Sequence, residues 1–397
     1  MRVLLAHNRY RIRGGEDEVV DSELALLGSH GHEVFPYIKD NHSISSRFPV
    51  KEGVRSTWNW EIYREVRTLI AKHKIELLHC HNLYPQLSPA IFHAAKTGGA
   101  ATVQTLHNYK FGCPKGELFR NGSVCERCLG KTFAWPGVMR GCYRDSRAAT
   151  AAIAIATTSH RLLSTWENRV DTYIALTDFA RGKCIDAGLP ADRITVKGNF
   201  VHDPGVGTGD GDFVLYVGRL TQVKGISVLL RAWTEQSTGL KLTIIGTGDL
   251  EPDVRAAAAS DCTINFLGVQ PLDTVLHVMG RAKALLFPSL WYEGMPRTIV
   301  ESFAKGTPVV ASDLGSMSSL IQHGVTGLHF PAGVGAAMMT QLQWIQTHPS
   351  EYAQMRRKCR EKYETDFTPE RNYGLLMEIY KRAISRDESG GKVHKAA

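Results

Sequence analysis

Two glutamates, Glu293 and Glu301, stand eight positions apart in "LWYEGMPRTIVESFAKGTPVVASD", residues 290–313. A carboxylate accepts hydrogen bonds and donates none, which suits it to a vicinal diol such as a ribose or a hexose. Gly294, between them, lets backbone approach a ligand with no Cβ in the way. Met295 and Pro296 follow, and the fixed φ and missing N–H of proline suit the first turn of a helix. The first N–H groups of that helix are unpaired and partly positive, which favours phosphate or sugar oxygens. Taken alone, two such glutamates are more often solvated charges flanking an ordinary strand–helix–strand unit.

Other residues with chemical potential lie upstream. In "YVGRLTQVKG" (216–225), Arg219 and Lys224 follow a strand-like run. Arginine clamps a diphosphate through two parallel donors, and lysine supplies a point charge. Gly14 and Gly15 in "NRYRIRGGEDEVV" (8–20) could form an anion nest at a helix start, with Glu16 directly after them. The stretch is neither a P-loop nor a dinucleotide fingerprint. His107 ends the run "TVQTLH", and His81 and Asn82 end the run "IELLHCHN". Cys113, Cys125, Cys128 and Cys142 are spaced C-x11-C-x2-C-x13-C. Four thiolates so arranged could close a tetrahedral shell around structural zinc, or stand as four reduced thiols in a compact loop.

These residues need strands and helices to place them. Ile299, Val300, Phe303 and Ala304 recur at helical spacing, Gly306 stops that helix, and "PVVAS" reads as a buried strand. Strand and helix signals alternate in two blocks, separated by the Gly- and Asp-rich "HDPGVGTGDGD" (202–212), read here as a linker. Two doubly wound α/β domains are expected. The tail from Ser385 is polar and basic and is expected to fray.

Glu293-x7-Glu301 with "EGMPRTIVESFAKGTPVVASDLG", the phrase G-R-L-x-x-x-K-G, and "GVTGLHFPAG" (324–333) resemble the motifs of the family 4 (group 1) retaining glycosyltransferases. Met295, Pro296 and Ser302 depart mildly from the usual pattern. The resemblance implies the GT-B architecture, two Rossmann-like domains facing across a cleft. Residues 1–201 would form the acceptor domain, with a Cys-rich insertion at 113–147, and 202–368 the donor domain. A helix at 369–384 would return to the first domain, leaving 385–397 as the tail. Carried over residue by residue, Arg219 and Lys224 neutralise the donor diphosphate, so that catalysis needs no metal cofactor. Glu301 holds the ribose, Glu293 with the Gly294–Met295 backbone holds the hexose, and His107 contacts the transferred sugar. Gly14 and Gly15 approach the donor phosphate, while Glu16, His81 and Asn82 lie on the acceptor side. The donor would be a UDP- or GDP-sugar, and the acceptor a polyprenyl diphosphate-linked glycan of bacterial surface polysaccharide synthesis.

Composition narrows the setting. The 397 residues are 43% hydrophobic and 22% charged, as in soluble globular proteins. Residues 1–200 hold 27 Lys/Arg against 19 Asp/Glu, and the remainder holds 20 of each. The whole net charge of +8 therefore sits in the first half, which suggests an anionic partner such as a membrane surface. No apolar run reaches the ~18 residues of a spanning helix, and no secretory core is present. A cytoplasmic protein, peripheral on the inner membrane face, is expected. A transferase with a soluble acceptor or a nucleotide-sugar epimerase would share the motifs. A zinc-bearing nucleic-acid binder would use the cysteines and the basic half but leave Glu293 to Asp313 unexplained, so no nucleic-acid partner is expected.

Overall fold

The computed structural model describes residues 1–9, 14–41, 55–236 and 238–394, with side chains to 387. In chain order the strands are β1 (Arg2–Arg9), β2 (Glu33–Asp40), β3 (Leu77–Cys80), β4 (Ala101–Leu106), β5 (Phe119–Arg120), β6 (Ser123–Val124), β7 (Thr172–Ala175) and β8 (Ile194–Val196). They continue with β9 (Phe213–Val217), β10 (Lys241–Ile245), β11 (Ile264–Gly268), β12 (Leu285–Phe287), β13 (Val309–Ser312) and β14 (Gly327–Phe330). The chain forms two units. The first comprises Met1–Leu118, Cys125–Gly198 and the chain from Asn372, and the second comprises Phe119–Val124 and Asn199–Arg371.

In the first unit six parallel strands run in the order β2-β1-β3-β4-β7-β8. Alternation along each strand sorts side chains to two faces. Leu4, Ala6, Leu78 and Cys80 face a core shared with Ile62, Val66, Ile70, Ile91 and Phe92. Val3, Leu5, Leu77 and Val103 face the other way, against Val20 and Leu27 of helix Gly15–Ser29 and against Leu376, Ile379, Tyr380 and Ala383 of the C-terminal helix. Burial of each such large side chain contributes ~1.5–3 kcal/mol. The C-terminal helix runs from Pro369 to His394, well beyond the expected end at Ile384. The residues from Ser385 to His394 continue this helix through Gly390 and Gly391, against their low helix propensity, and 395–397 of the expected tail lie outside the described residues.

The second unit repeats the plan with six parallel strands in the order β11-β10-β9-β12-β13-β14. Its core joins Val214, Tyr216, Leu242, Ile244, Leu286, Val310 and Phe330 to Ile226, Leu229 and Trp233 of helix Ile226–Glu235. In each unit the strand order reverses direction once, between β1 and β3 and between β9 and β12. Loops leaving the carboxyl ends at such a point diverge, and ligands of open α/β sheets bind there. Every expected site residue outside the cysteines lies in the loop or helix after one of the strands β1, β3, β4, β9 and β12.

The 202–212 segment is not a free linker. Gly207, Gly209 and Gly211 donate their N–H groups to the carbonyls of Lys305, Gly280 and Arg281 at 2.8–2.9 Å. A Cβ on Gly207 would lie 2.2 Å from Gly280 Cα, so this glycine serves close backbone packing and not flexibility. The unit boundary falls earlier than expected, between Gly198 and Asn199. Among the described residues no helix is long and apolar enough to cross a membrane. The Ala-rich run of residues 148–159 lies in helix Arg147–Leu162, which buries Thr150, Ala154, Ala156 and His160.

Candidate functional site

In the second unit, two loops are drawn together by a missing side chain. Gly225 has φ of +75°, and a Cβ there would lie 1.8 Å from the Pro288 carbonyl oxygen. With no Cβ, the loop after β9 closes on the loop after β12, and Leu290 donates its N–H to Val223 O at 2.8 Å. Gly246 plays the same part beneath, where a Cβ would meet Gly218 O at 1.9 Å. This closure sets Lys224 Nζ 2.7 Å from Glu293 Oε1. Ser289 Oγ donates to the same oxygen at 2.8 Å, and the Lys224 ammonium also stands over the Trp291 ring at 5.7 Å. Arg219 follows β9 directly, is exposed, and has its carbonyl fixed by the Tyr216 hydroxyl at 2.9 Å.

Residues assigned separately to phosphate and to sugar thus touch. Glu293 is buried and holds the ammonium that was expected at the diphosphate. Glu301, also buried, lies in helix Arg297–Ala304, with Arg297 Nε 3.8 Å from its Oε1. Met295 is an anchor: its sulfur accepts from Asn199 N at 2.9 Å and its carbonyl from Asn199 Nδ2 at 3.2 Å. Pro296 is the N-cap of that helix. Gly294 lies in the same loop, between the paired Glu293 and the anchored Met295.

In the first unit Gly14 caps helix Gly15–Ser29, and its N–H donates to Asp17 Oδ2 at 2.9 Å. That bond, with an extended Gly14 backbone, replaces the expected anion nest. Among the described residues a Cβ on Gly14 or Gly15 would meet nothing within 4 Å, so their packing does not account for either glycine. Glu16 is half-buried near Lys110; burial pulls that ammonium's pKa down and Glu16 pulls it back up.

The strand period gathers histidines at the carboxyl ends. His7, His79, His81 and His107 extend the rows Val3–Leu5, Leu77 and Val103 on the face covered by helix Gly15–Ser29. Glu23, at the centre of the helix's buried stripe, is 1% exposed. Its Oε1 lies 2.9 Å from His79 Nδ1 and 3.4 Å from His81 Nε2, and its Oε2 lies 3.2 Å from Lys197 Nζ. Lys197 also donates to Asn372 Oδ1 at 3.0 Å, and Tyr380 OH lies 2.8 Å from His79 Nδ1. His81 Nδ1 is 2.9 Å from His107 Nε2, and His7 Nε2 is 3.0 Å from Asp17 Oδ1. Glu23, His79 and His81 bring three ligand atoms within 4.8 Å of one another. Lys197 already meets the carboxylate and Tyr380 meets His79, while Glu23 Oε1 and His81 Nε2 face each other without a hydrogen bond, so the cluster is held by charge contacts around one ion pair.

Burial opposes charge on Glu23, yet Lys197 and His79 hold its carboxyl well below the usual range. Burial lowers His7, drives His81 down to about 3 and takes His107 well below the usual imidazole value. His81 and Asn82 are buried and internally bonded, Asn82 to Asn8 O at 2.9 Å, so neither stands on an acceptor surface as expected. The first-half residues that the sequence reading missed are His7, Asp17, Glu23, His79 and Lys197. Glu23 had a signal, because it falls within the apolar stripe Val19, Val20, Leu26 and Leu27.

The four cysteines are neighbours without a closed shell. Burial, then Cys113, Cys142 and Cys125 nearby, push the Cys128 thiol up to about 11. Among the described residues, only Glu23, His79 and His81 form a group of metal-ligand atoms that close together.

The depressed histidines fix a stability–pH slope. Their folded pKa values lie below the unfolded ~6.5, so below that pH the unfolded chain binds more protons and stability falls. From pH 7.5 to 5.5, His7, His81 and His107 should each remove up to about 1.4 kcal/mol. Glu23 has the same sign but acts only as pH falls through its unfolded value near 4.5. Urea unfolding at the two pH values measures the loss, and an unchanged midpoint would contradict buried neutral rings.

A family model of group 1 glycosyl transferases matches residues 211–348, and one of the glycosyl transferase 4-like domain matches residues 42–199. The amylovoran biosynthesis glycosyltransferase AmsK of Erwinia amylovora is 30% identical over 50% of this chain and 53% of its own. A D-inositol 3-phosphate glycosyltransferase of Rhodococcus erythropolis is 27% identical over 58% and 52%. The chain thus spans about half the length of these two relatives. Anabaena Alr3699/HepE, solved in complex with UDP, superposes with a TM-score of 0.68 at 14% identity, covering 95% of this chain and 99% of that one. Sucrose-phosphate synthase of Thermosynechococcus elongatus gives 0.69 at 16%, covering 97% and 99%. With a family model on each half of the chain and two parallel-sheet units, the protein belongs to the group 1, family 4 glycosyltransferases and has their GT-B fold.

Proposed function

We propose that the protein is a retaining glycosyltransferase that moves a hexose from a nucleotide sugar to a glycan or lipid-linked acceptor in bacterial polysaccharide synthesis, without a catalytic metal. The observation that carries this reading is the Lys224–Glu293 pair, with Arg219 exposed in the same loop after β9, where the second sheet reverses its order. Arg219 and Lys224 offset charge growing on the leaving diphosphate, as a divalent ion does elsewhere. Glu293 serves both as partner of Lys224 and as acceptor for hexose hydroxyls, and Glu301 accepts from the ribose. His107 contacts the transferred sugar, and the Gly14–Gly15 backbone approaches the donor phosphate. The acceptor attacks the face that the diphosphate leaves, and a donor phosphate oxygen takes its proton. UDP in the HepE neighbour and the amylovoran biosynthesis for which AmsK is named support the substrate class. Arg219→Ala and Lys224→Ala should each lower turnover at least ~100-fold in folded protein while EDTA leaves wild-type transfer intact. Near-normal turnover of either variant, or strict dependence on added Mg²⁺, would overturn the assignment. A thermal-shift screen of UDP- and GDP-sugars identifies the base, because a tight donor raises stability.

We propose structural zinc at Cys113, Cys125, Cys128 and Cys142. Clustered thiols, one of them raised by burial and then by its neighbours, gain most from a cation that removes their protons. Elemental analysis after metal-free purification should show tightly held zinc, lost in a Cys125→Ser/Cys128→Ser variant. Zinc-free wild type would make the segment a thiol-rich loop.

The acceptor is proposed to be polyprenyl diphosphate-linked and met at the anionic, cytoplasmic membrane face. Trp135, Met139, Ile155 and Leu162 are 53–73% exposed on two helices that pack together. Lys131 stands over the Trp135 ring at 5.9 Å, and Arg140, Arg144 and Arg147 are exposed nearby. Exposed tryptophan beside basic residues suits the lipid headgroup layer. Trp135→Ser/Met139→Ser should reduce sedimentation with anionic vesicles at low salt. Wild-type binding by this variant would point to a soluble acceptor.

A further inference from the structure

Glu23 lies on the buried face of a helix whose other inward residues are Val19, Val20, Leu26 and Leu27. An ionised carboxylate so placed is costly unless paired, and Lys197 pairs it. The second oxygen then faces two imidazoles, and a carboxylate can only accept. His81 Nε2 lies 3.4 Å from that oxygen without making a hydrogen bond to it, but a bare ring nitrogen there would set lone pair against anion, so Nε2 carries its proton. His81 Nδ1 is therefore bare and accepts from His107 Nε2–H at 2.9 Å. Neutral imidazole has one proton, so His107 Nδ1 is left as a lone pair. No described residue bonds that nitrogen, and it is not among the buried atoms lacking a partner.

We propose that Glu23 and His81 are positioning residues that lock both histidine tautomers, so that His107 presents Nδ1 as a hydrogen-bond acceptor to a hydroxyl of the transferred sugar. This rests on the donor reading above for the contact at His107, whereas the relay from Glu23 to His107 stands on geometry alone. The charged and titratable groups facing the relay are His7, Asp17 and Glu23 from β1 and its helix, His79 from β3, Lys197 after β8 and Tyr380 from the C-terminal helix. Burial keeps both rings neutral far below physiological pH, so His107 accepts without donating from Nδ1.

The relay also bears on selectivity. A locked acceptor rewards a hydroxyl and repels a carbonyl or carboxylate oxygen at the same place. A donor whose sugar carries an oxo or carboxylate group opposite His107 would bind less well than the parent hexose.

The test uses the full-length protein labelled with ¹⁵N-histidine. Wild type should show His81 and His107 as neutral Nε2–H tautomers from pH 8 to 5.5. Glu23→Gln keeps the shape of the side chain but can turn an amide donor toward His81, and both tautomers should then invert or mix. Because this variant leaves Lys197 without its counter-charge, Glu23→Gln/Lys197→Met is measured beside it. In either variant, affinity for the nucleotide sugar that wild type binds should drop about tenfold, the worth of one hydrogen bond. Affinity for the bare nucleoside diphosphate should not change, a split that general loosening of the unit would not give. An Nδ1–H tautomer on either wild-type ring overturns the relay whatever the donor. Tautomer inversion without selective loss of sugar affinity overturns the contact at His107. Wild type that binds no nucleotide sugar overturns the donor reading, and with it the sugar contact, while the spectra still decide the relay.

Discussion

The first unit is organised around one buried carboxylate. Glu23 on its helix, His79 and His81 from β3, Lys197 after β8 and, through His79, Tyr380 of the C-terminal helix converge on a few ångströms. Each would be costly to bury alone, and the charges offset one another only if the others are in register. The apolar rows beneath, from Val3 to Val103, supply the burial energy, and the polar ends of the same rows fix which arrangement is adopted. Removing Glu23 would leave a buried ammonium without its counter-charge, so helix, sheet and C-terminal helix are coupled through it.

The second unit relies on close backbone approach. Gly225 and Gly246 let adjacent loops pack at distances that a Cβ would forbid. The result is a short ion pair between residues far apart in sequence, Lys224 and Glu293, shielded by Trp291 and Ser289. An ammonium already held by a carboxylate is preorganised for an anion at little cost in side-chain entropy, at the expense of part of its charge.

Glycine carried three meanings here that composition cannot separate. At 207–211 it marks packed backbone and not a linker. At 225 it marks a forced contact between loops, and at 14 and 15 no described residue would meet a Cβ. The type is the same, and the surroundings decide the role.

The sequence by itself determined the two-unit parallel α/β plan, because strand and helix periodicities are local and repeat twice. It also placed Arg219, Lys224, Glu293 and Glu301 in loops and helix starts after strands, since their motif spacings are local. Glu23 was legible as a carboxylate on an apolar helix face, and His79 and His81 as a same-side pair through the period of two. What those residues touch was not legible. Lys197 reaches Glu23 across 174 positions and Lys224 reaches Glu293 across 69. Only tertiary structure decided these partners, because strand order, crossover and backbone approach, not spacing along the chain, set which side chains share a few cubic ångströms. The same holds for Met295 and Asn82, whose motif positions suggested ligand contact and whose neighbours, Asn199 and Asn8, make them internal ties.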